Sequence, residues 1–392
     1  MAVSIEKGRI GHLDFARGVT MVFMALDHTS YFWNKYRVAD EGLRGNFPHY
    51  ADLPQLLTRV ATHFAPTTFI WLAGLMVALS ATKRLRRGDS QSAVSWHFTI
   101  RGLILILLHL TIVNLGFELE GWLKLNWKEI FLLQVLWTIG MNMIILAWVR
   151  RLGVFVLAVL ALLNFFAFPL FYQPLLQFTH PNPFLYALGI ATFAPSKVSD
   201  APIVCLYPLI PWMGVMILGY LWGLGYVKWV KDRQAIAPRL MGKIYLVLGI
   251  GFSLMFLMSR YGNGYGNQIH WQQLTFSQFV TLSKYPPDLA YLFLTLGIMF
   301  ILLAVSLKIK KRMREKTFLV DLLVTFGRVP LFFYCLHPLL YGSLAIFLGI
   351  QRQFGLPVVY LVWIIGLGIL YKPCQWFFEY KSTHSQSLVR YI

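Results

Sequence analysis

The chain has 392 residues, 57% of them hydrophobic and only 13% charged, with a formal net charge of +19. No soluble domain of that length can enclose so much apolar surface, so the composition specifies a polytopic membrane protein. The positive charge does not point to nucleic acid, because Lys and Arg stand in short clusters between apolar runs, the pattern of loops facing anionic lipid.

Apolar runs long enough to cross a hydrocarbon core of about 30 Å occur near 13–33, 56–82, 98–117, 129–149, 152–171, 202–226, 240–260, 285–307, 320–349 and 355–379. The expected fold class is therefore all-α: a polytopic helix bundle of about ten transmembrane helices, forming a single domain over 1–392. The first run is too long, and lacks the small-residue cleavage site, for a removable leader. Cys205, Cys335 and Cys374 lie in or beside apolar segments without metal spacing, so no disulfide framework is expected. With the N-terminus inside, alternate connections carry twenty-one Lys and Arg against eight on the other side. The bias places both termini in the cytoplasm.

The first span, RIGHLDFARGVTMVFMALDHTSYFW over 9–33, carries Asp14, Arg17, Asp27 and His28. Ionisable groups in hydrocarbon cost at least about 2.5–3.5 kcal/mol each, so they mark protected interiors where chemistry or charge movement occurs. Asp14, Arg17, Met21, Met24 and His28 are spaced 3, 4, 3 and 4, which puts them on one helical stripe. His28 lies roughly 21 Å from Asp14 along the axis. In the second span, His63 falls at a similar depth on a stripe with Arg59, Pro66, Ile70 and Gly74. Asp288 opens the eighth span, and His337 reaches the same outer third in the ninth, which Pro330 and Pro338 interrupt. These residues are expected to form a buried polar layer near the outer face. The plainer alternative is that they lock helices together.

Asp14, Arg17, Arg101 and Arg328 form a second layer near the inner face, with Asp321 one or two turns away. Its spare positive charge suits a phosphate- or carboxylate-bearing ligand; the alternative is arginines snorkelling to headgroups. The connection RYGNGYGNQIHWQQ at 260–273 mixes aromatic rings with amides. Such a mixture suits a hydroxyl-rich, sugar-like ligand, or an interfacial aromatic belt. The sequence holds no P-loop, HExxH, GxSxG or dinucleotide motif, and no metal is expected.

Seven segments in order carry a resemblance: LDFARG (13–18), MALDHTSYFW (24–33), THFAPTTFIWLAG (62–74), VLWTIGMNMI (135–144), YPLIPWMGVMILGY (207–220), KYPPDLAYLFLTLG (284–297) and TFGRVPLFFYCLHPLLYG (325–342). Together they resemble the bacterial proteins related to the catalytic domain of heparan-alpha-glucosaminide N-acetyltransferase, within the wider transmembrane acyltransferases. The resemblance implies transfer of an acyl group, acetyl above all, from cytoplasmic acyl-CoA (acetyl-CoA) to a glycan or other hydroxyl- or amine-bearing small molecule at the outer face. It implies a multi-pass protein of the bacterial cytoplasmic (inner) membrane, with the lipid bilayer as a partner and a homo-oligomer left open. The animal enzyme's luminal-loop histidine falls nearest His49, about two positions out of register. The relatives usually have a small polar residue where this chain has Asp288.

On this reading His28 or His63 is the general base, and the other, or His337, orients it or stabilises the oxyanion. Asp27, Asp288 and His49 complete the candidate catalytic group, while Asp14, Arg17, Arg101 and Arg328 bind the donor. The competing class is a proton-coupled permease or exporter that uses the buried His and Asp residues as a relay.

Overall fold

A computed structural model describes residues 11–38, 41, 47–123, 131–171, 203–232, 238–309, 313 and 317–384. The termini, the 172–201 connection and most of the basic 310–316 loop, which carry part of the charge bias across the membrane, lie outside the described residues. Helix α1 (Gly11–Trp33) is the hub. It packs against α3 (Phe64–Arg86), α12 (Leu289–Ser306), α13 (Phe318–Arg328), α14 (Pro330–Phe347) and α15 (Leu356–Thr383). That enclosure explains how one helix tolerates buried His12, Asp14, Thr20, Asp27, Thr29 and Ser30. Its closest neighbour is α13, where the crossing depends on missing side chains. A Cβ on Gly18 would meet the Leu323 carbonyl oxygen at 1.7 Å, and one on Gly327 would meet the Asp14 carbonyl oxygen at 1.7 Å. Backbone contact of this kind drives helix association where lipid supplies no hydrophobic force.

Among the described residues, eight helices are long and apolar enough to cross a membrane by length and composition: Leu53–Arg86, Gln91–Phe117, Val135–Leu152, Leu209–Trp229, Arg239–Gly262, Leu289–Ser306, Pro330–Phe347 and Leu356–Thr383. The other two predicted spans correspond to α1, whose polar residues lower its hydropathy, and α8 (Val154–Phe166), an apolar helix of 13 residues. The protein is an integral membrane helix bundle. Its all-α character needs one amendment: β1 (Phe131–Leu133) pairs in parallel with β2 (Ile203–Cys205), and the pairing satisfies peptide groups of both short segments.

Three interruptions shape the site. The second predicted span is two helices, α2 (Leu53–Thr62) and α3, joined at His63. Pro66 has no N–H for the Thr62 carbonyl, so the ladder fails there. Asp52 caps α2 by accepting from the Gln55 N–H at 2.8 Å. The ninth run divides at Val329 into α13 and α14, with Pro330 opening α14; Pro338 is accommodated inside that helix. The third span runs as α4 (Gln91–Leu108), a π-turn at His109–Val113 and α5 (Asn114–Phe117). A π-turn inserts one residue and rotates everything beyond it, a feature that concentrates at functional sites.

Candidate functional site

α1 carries Asp27 and His28 at one end, the histidine end, and Asp14 and Arg17 at the other, the arginine end. At the histidine end the His28 and His337 rings stack, with centroids 4.9 Å apart, and His28 Nδ1 lies 2.6 Å from His337 Nε2. His337 Nδ1 lies 2.9 Å from the Phe333 carbonyl oxygen, one turn earlier on α14. A carbonyl only accepts, so His337 Nδ1 carries the proton and, in the neutral ring, Nε2 is a lone pair. His28 Nδ1 must then donate, which leaves the lone pair on His28 Nε2. His337 is fully buried, whereas His28 is half-buried and its Nε2 has no partner among the described residues. The pair presents a base with its tautomer fixed by a backbone carbonyl.

Beside it stands a buried charge network. Asp27 accepts from Arg37 Nη1 at 2.7 Å, from Arg59 and from Thr62 Oγ1 at 3.0 Å, with Lys284 Nζ 3.5 Å from its second oxygen. Arg59 also grips Glu41 through two nitrogens. Glu41 accepts from Tyr50 at 3.3 Å, and His63 Nε2 lies 3.8 Å away. The Glu41 backbone carbonyl receives the N–H groups of Lys284 and Tyr285 at 3.3 and 3.2 Å. Arg37, Arg59 and Lys284 against Asp27 and Glu41 leave one net positive charge when the histidines are neutral. Burial works to raise the Glu41 carboxyl, but the Arg59 guanidinium and His63 hold it well below the usual carboxylate range. The network therefore ties Arg37, Glu41 and Tyr50 to this end of α1 and to α2.

The outer-layer candidates separate. His28, Asp27 and His337 are together; His63 joins through Glu41 and Arg59, and its backbone carbonyl accepts from the Tyr291 hydroxyl at 2.6 Å. Asp288 caps α12, accepting from the N–H groups of Tyr291 at 2.7 Å, Gln268 at 3.2 Å and Ser283 at 3.4 Å. Burial pushes its carboxyl up to about 6 against those donors. A raised carboxyl contributes stability that is complete below its unfolded value of 3.8 and is lost as pH rises through about 6. The difference in unfolding temperature between the wild type and Asp288→Asn, measured in detergent, should therefore shift in favour of the wild type as pH falls from 7 to 5. A difference that does not change with pH would assign the titration elsewhere. Glu41 acts only below its unfolded value of 4.5, outside this window.

His49 is exposed, its ring beside Phe47 at 6.1 Å, and among the described residues it makes no contact with the cluster. The Asn263 and Asn267 amides of 260–273 are engaged within their own loop. Buried Arg260 donates to Asn267 Oδ1 and to the carbonyls of Ile269, Gln278 and Phe279, while Asn263 Nδ2 donates to the Trp271 carbonyl. Tyr261 and Tyr265 remain exposed.

At the arginine end, Arg17 Nη1 donates to Asp14 Oδ1 at 3.0 Å. Arg101 lies within electrostatic reach of Arg17, and among the described residues it has no carboxylate partner. The Arg328 guanidinium stacks over the Phe378 ring at 4.9 Å. Asp321 accepts from the Tyr371 hydroxyl at 2.6 Å. Among the described residues no group of three or more His, Cys, Asp or Glu is placed to hold a metal ion.

The family model for the catalytic domain of heparan-alpha-glucosaminide N-acetyltransferase matches residues 9–261. That stretch includes Asp14, Arg17, Asp27, His28, Glu41, Arg59, His63 and Arg101, and it ends before Lys284, Asp288, Arg328 and His337. No curated protein matches the chain.

Proposed function

We propose that the chain, which belongs to the heparan-alpha-glucosaminide N-acetyltransferase catalytic family, moves an acetyl or related acyl group from cytoplasmic acyl-CoA to a glycan or other hydroxyl- or amine-bearing acceptor at the outer face. Membership carries the coarser part, a membrane acetyltransferase type of function. The observation that carries the finer part is the His28–His337 pair, whose hydrogen bonds leave His28 Nε2 as a lone pair on a half-buried ring.

His28 acts as general base toward the acceptor hydroxyl or amine, and His337 is the positioning residue that holds its tautomer. His63 and Asp27 belong to the charge network that supports this end, Asp288 organises the loop entering α12, and His49 receives no role. Counted with α1 and α8, the eight apolar helices support a reading of ten spans. The lysines and arginines of alternate connections support placing both termini and the arginine end in the cytoplasm, here of a bacterial inner membrane.

The donor enters at the arginine end. Arg17 and Arg101, with Asp14 orienting Arg17, offer guanidinium groups to the phosphates of CoA, and Arg328 adds a third. From Arg17 to His28 the axial distance is about 16 Å, which an extended phosphopantetheine arm can cover. The thioester then arrives beside His28 while the nucleotide stays at the arginine end. A charge-assisted hydrogen bond is worth about 1.5–3 kcal/mol. Arg101→Ala should therefore weaken acetyl-CoA binding by roughly 10- to 150-fold, measured calorimetrically, and Arg328→Ala should act in the same direction. Unchanged affinity in both folded variants would move the donor site elsewhere.

The carrier alternative requires Asp27 to change protonation during transport. Three cations and Thr62 already engage that carboxylate, an arrangement suited to fixed charge rather than to a relay.

A further inference from the structure

Two polar side chains near the histidine pair have no hydrogen-bond partner among the described residues. Asn114 is fully buried, and both atoms of its amide are unsatisfied. Tyr334 is 4% exposed; its hydroxyl lies toward the Leu136 backbone without making a hydrogen bond of ordinary geometry. Buried polar groups in folded proteins are nearly always paired, and the exceptions concentrate where a ligand supplies the missing partner.

Their placement is specific. Asn114 precedes Phe117 by three residues and shares its helix face, and the Phe117 ring packs edge-on against His28 at 4.8 Å. Tyr334 precedes His337 by three residues, and their rings meet edge-on at 5.7 Å. Both helices run from the arginine end toward the histidine end, so each group sits one turn, about 4.5 Å, on the arginine side of the pair. The π-turn immediately before Asn114 adds the residue that sets this face. Contacts of α14 with that turn and with α5 hold the two segments side by side at this level.

We propose that the Asn114 amide and the Tyr334 hydroxyl are the donor pair that receives the thioester carbonyl oxygen of the acyl donor. The inference rests on the acyltransferase reading above and adds to it the groups that bear the developing negative charge. As the acceptor oxygen or nitrogen attacks the carbonyl carbon, His28 Nε2 takes its proton and the carbonyl electron pair moves onto oxygen. Asn114 Nδ2–H and the Tyr334 O–H stabilise that oxyanion. Collapse re-forms the carbonyl and breaks the C–S bond; the thiolate recovers the proton from His28, leaving acylated acceptor and CoA-SH.

The test uses Asn114→Leu and Tyr334→Phe in the full chain. A preorganised oxyanion donor is worth about 10²–10³ in kcat, so each variant should lose that factor with acetyl-CoA, read as free CoA with glucosamine and water as acceptors. Acetyl-CoA affinity should fall by no more than roughly tenfold, the cost of one ground-state hydrogen bond. Removing an unsatisfied buried group should leave thermal stability equal or higher, a sign opposite to that of a structural role. A second readout needs no acceptor. In a His28→Ala background, the carbonyl stretch of bound [1-¹³C]acetyl-CoA should shift to lower wavenumber than in solution, and either variant should remove the shift. Should Asn114→Leu fail to fold, Tyr334→Phe, which lacks a single oxygen, decides alone. A carbonyl stretch that is unshifted, or equally shifted in the variants, overturns the donor pair. If His28→Ala abolishes CoA release while both donor variants keep the wild-type rate, only this inference falls. If His28→Ala itself keeps full activity, the histidine reading falls with it.

Discussion

Replacing His28 by alanine is expected to lower acyl transfer by about 10²–10⁴, the range a positioned general base contributes. The variant should still insert, fold and bind acetyl-CoA, because His28 is half-buried and its one hydrogen bond among the described residues is to His337. His337→Ala should cost less. It leaves the base in place but removes the partner that fixes its tautomer, and that partner is itself set by the Phe333 carbonyl. A His28→Ala protein with wild-type turnover would remove the base from this site.

The second large effect is on stability. Arg59 is 4% exposed and joins Asp27 to Glu41. Arg59→Ala strands the Glu41 carboxylate without its cation and reduces the charge around Asp27. Breaking a buried pair from one side costs about 3–5 kcal/mol, because the remaining charge stays desolvated. Replacing both members by apolar residues of similar volume is often close to neutral. Arg59→Met with Glu41→Met should therefore recover much of what Arg59→Met alone loses, measured as unfolding temperature in detergent. A single variant as stable as the wild type, or a double variant worse than the sum of the two, would contradict a mutually dependent ion network.

What the sequence reveals and what it hides follow from the range of each signal. The 3–4 spacing along α1 identifies Asp14, Arg17 and His28 as one inward stripe, because helical periodicity is local. The break at Pro330 is equally legible. The break at His63 has its signal in Pro66, whose effect lies four residues upstream. Glu41 is hidden. It lies in the 34–55 connection, where no periodicity predicts burial, and it is held there by Arg59 and the Lys284 and Tyr285 backbone. Arg37 and Lys284 look like loop charges in a count of basic residues; only the fold brings the Asp27 carboxylate to them. Asp288 carries a cap signature, an Asp directly before an apolar run, and its contacts are those of a cap. Asn114 is visible as a lone amide inside an apolar span, but its missing partner is a property of three dimensions.

The pairing of His28 with His337 joins residues 309 positions apart, and no local rule reports it. Distance also explains why the inner layer is more legible than the outer one. Asp14 and Arg17 meet across three residues of one helix, whereas the outer network draws on α1, α2, the 34–50 connection and the segment before α12.

Transfer across the membrane can be read in proteoliposomes that hold acetyl-CoA only on the arginine-end side and a glycan acceptor only on the histidine-end side. Acetylated acceptor is expected on the histidine-end side and free CoA on the other, with neither formed by His28→Ala. Solute flux driven by a pH gradient without CoA release would contradict this expectation and identify a carrier.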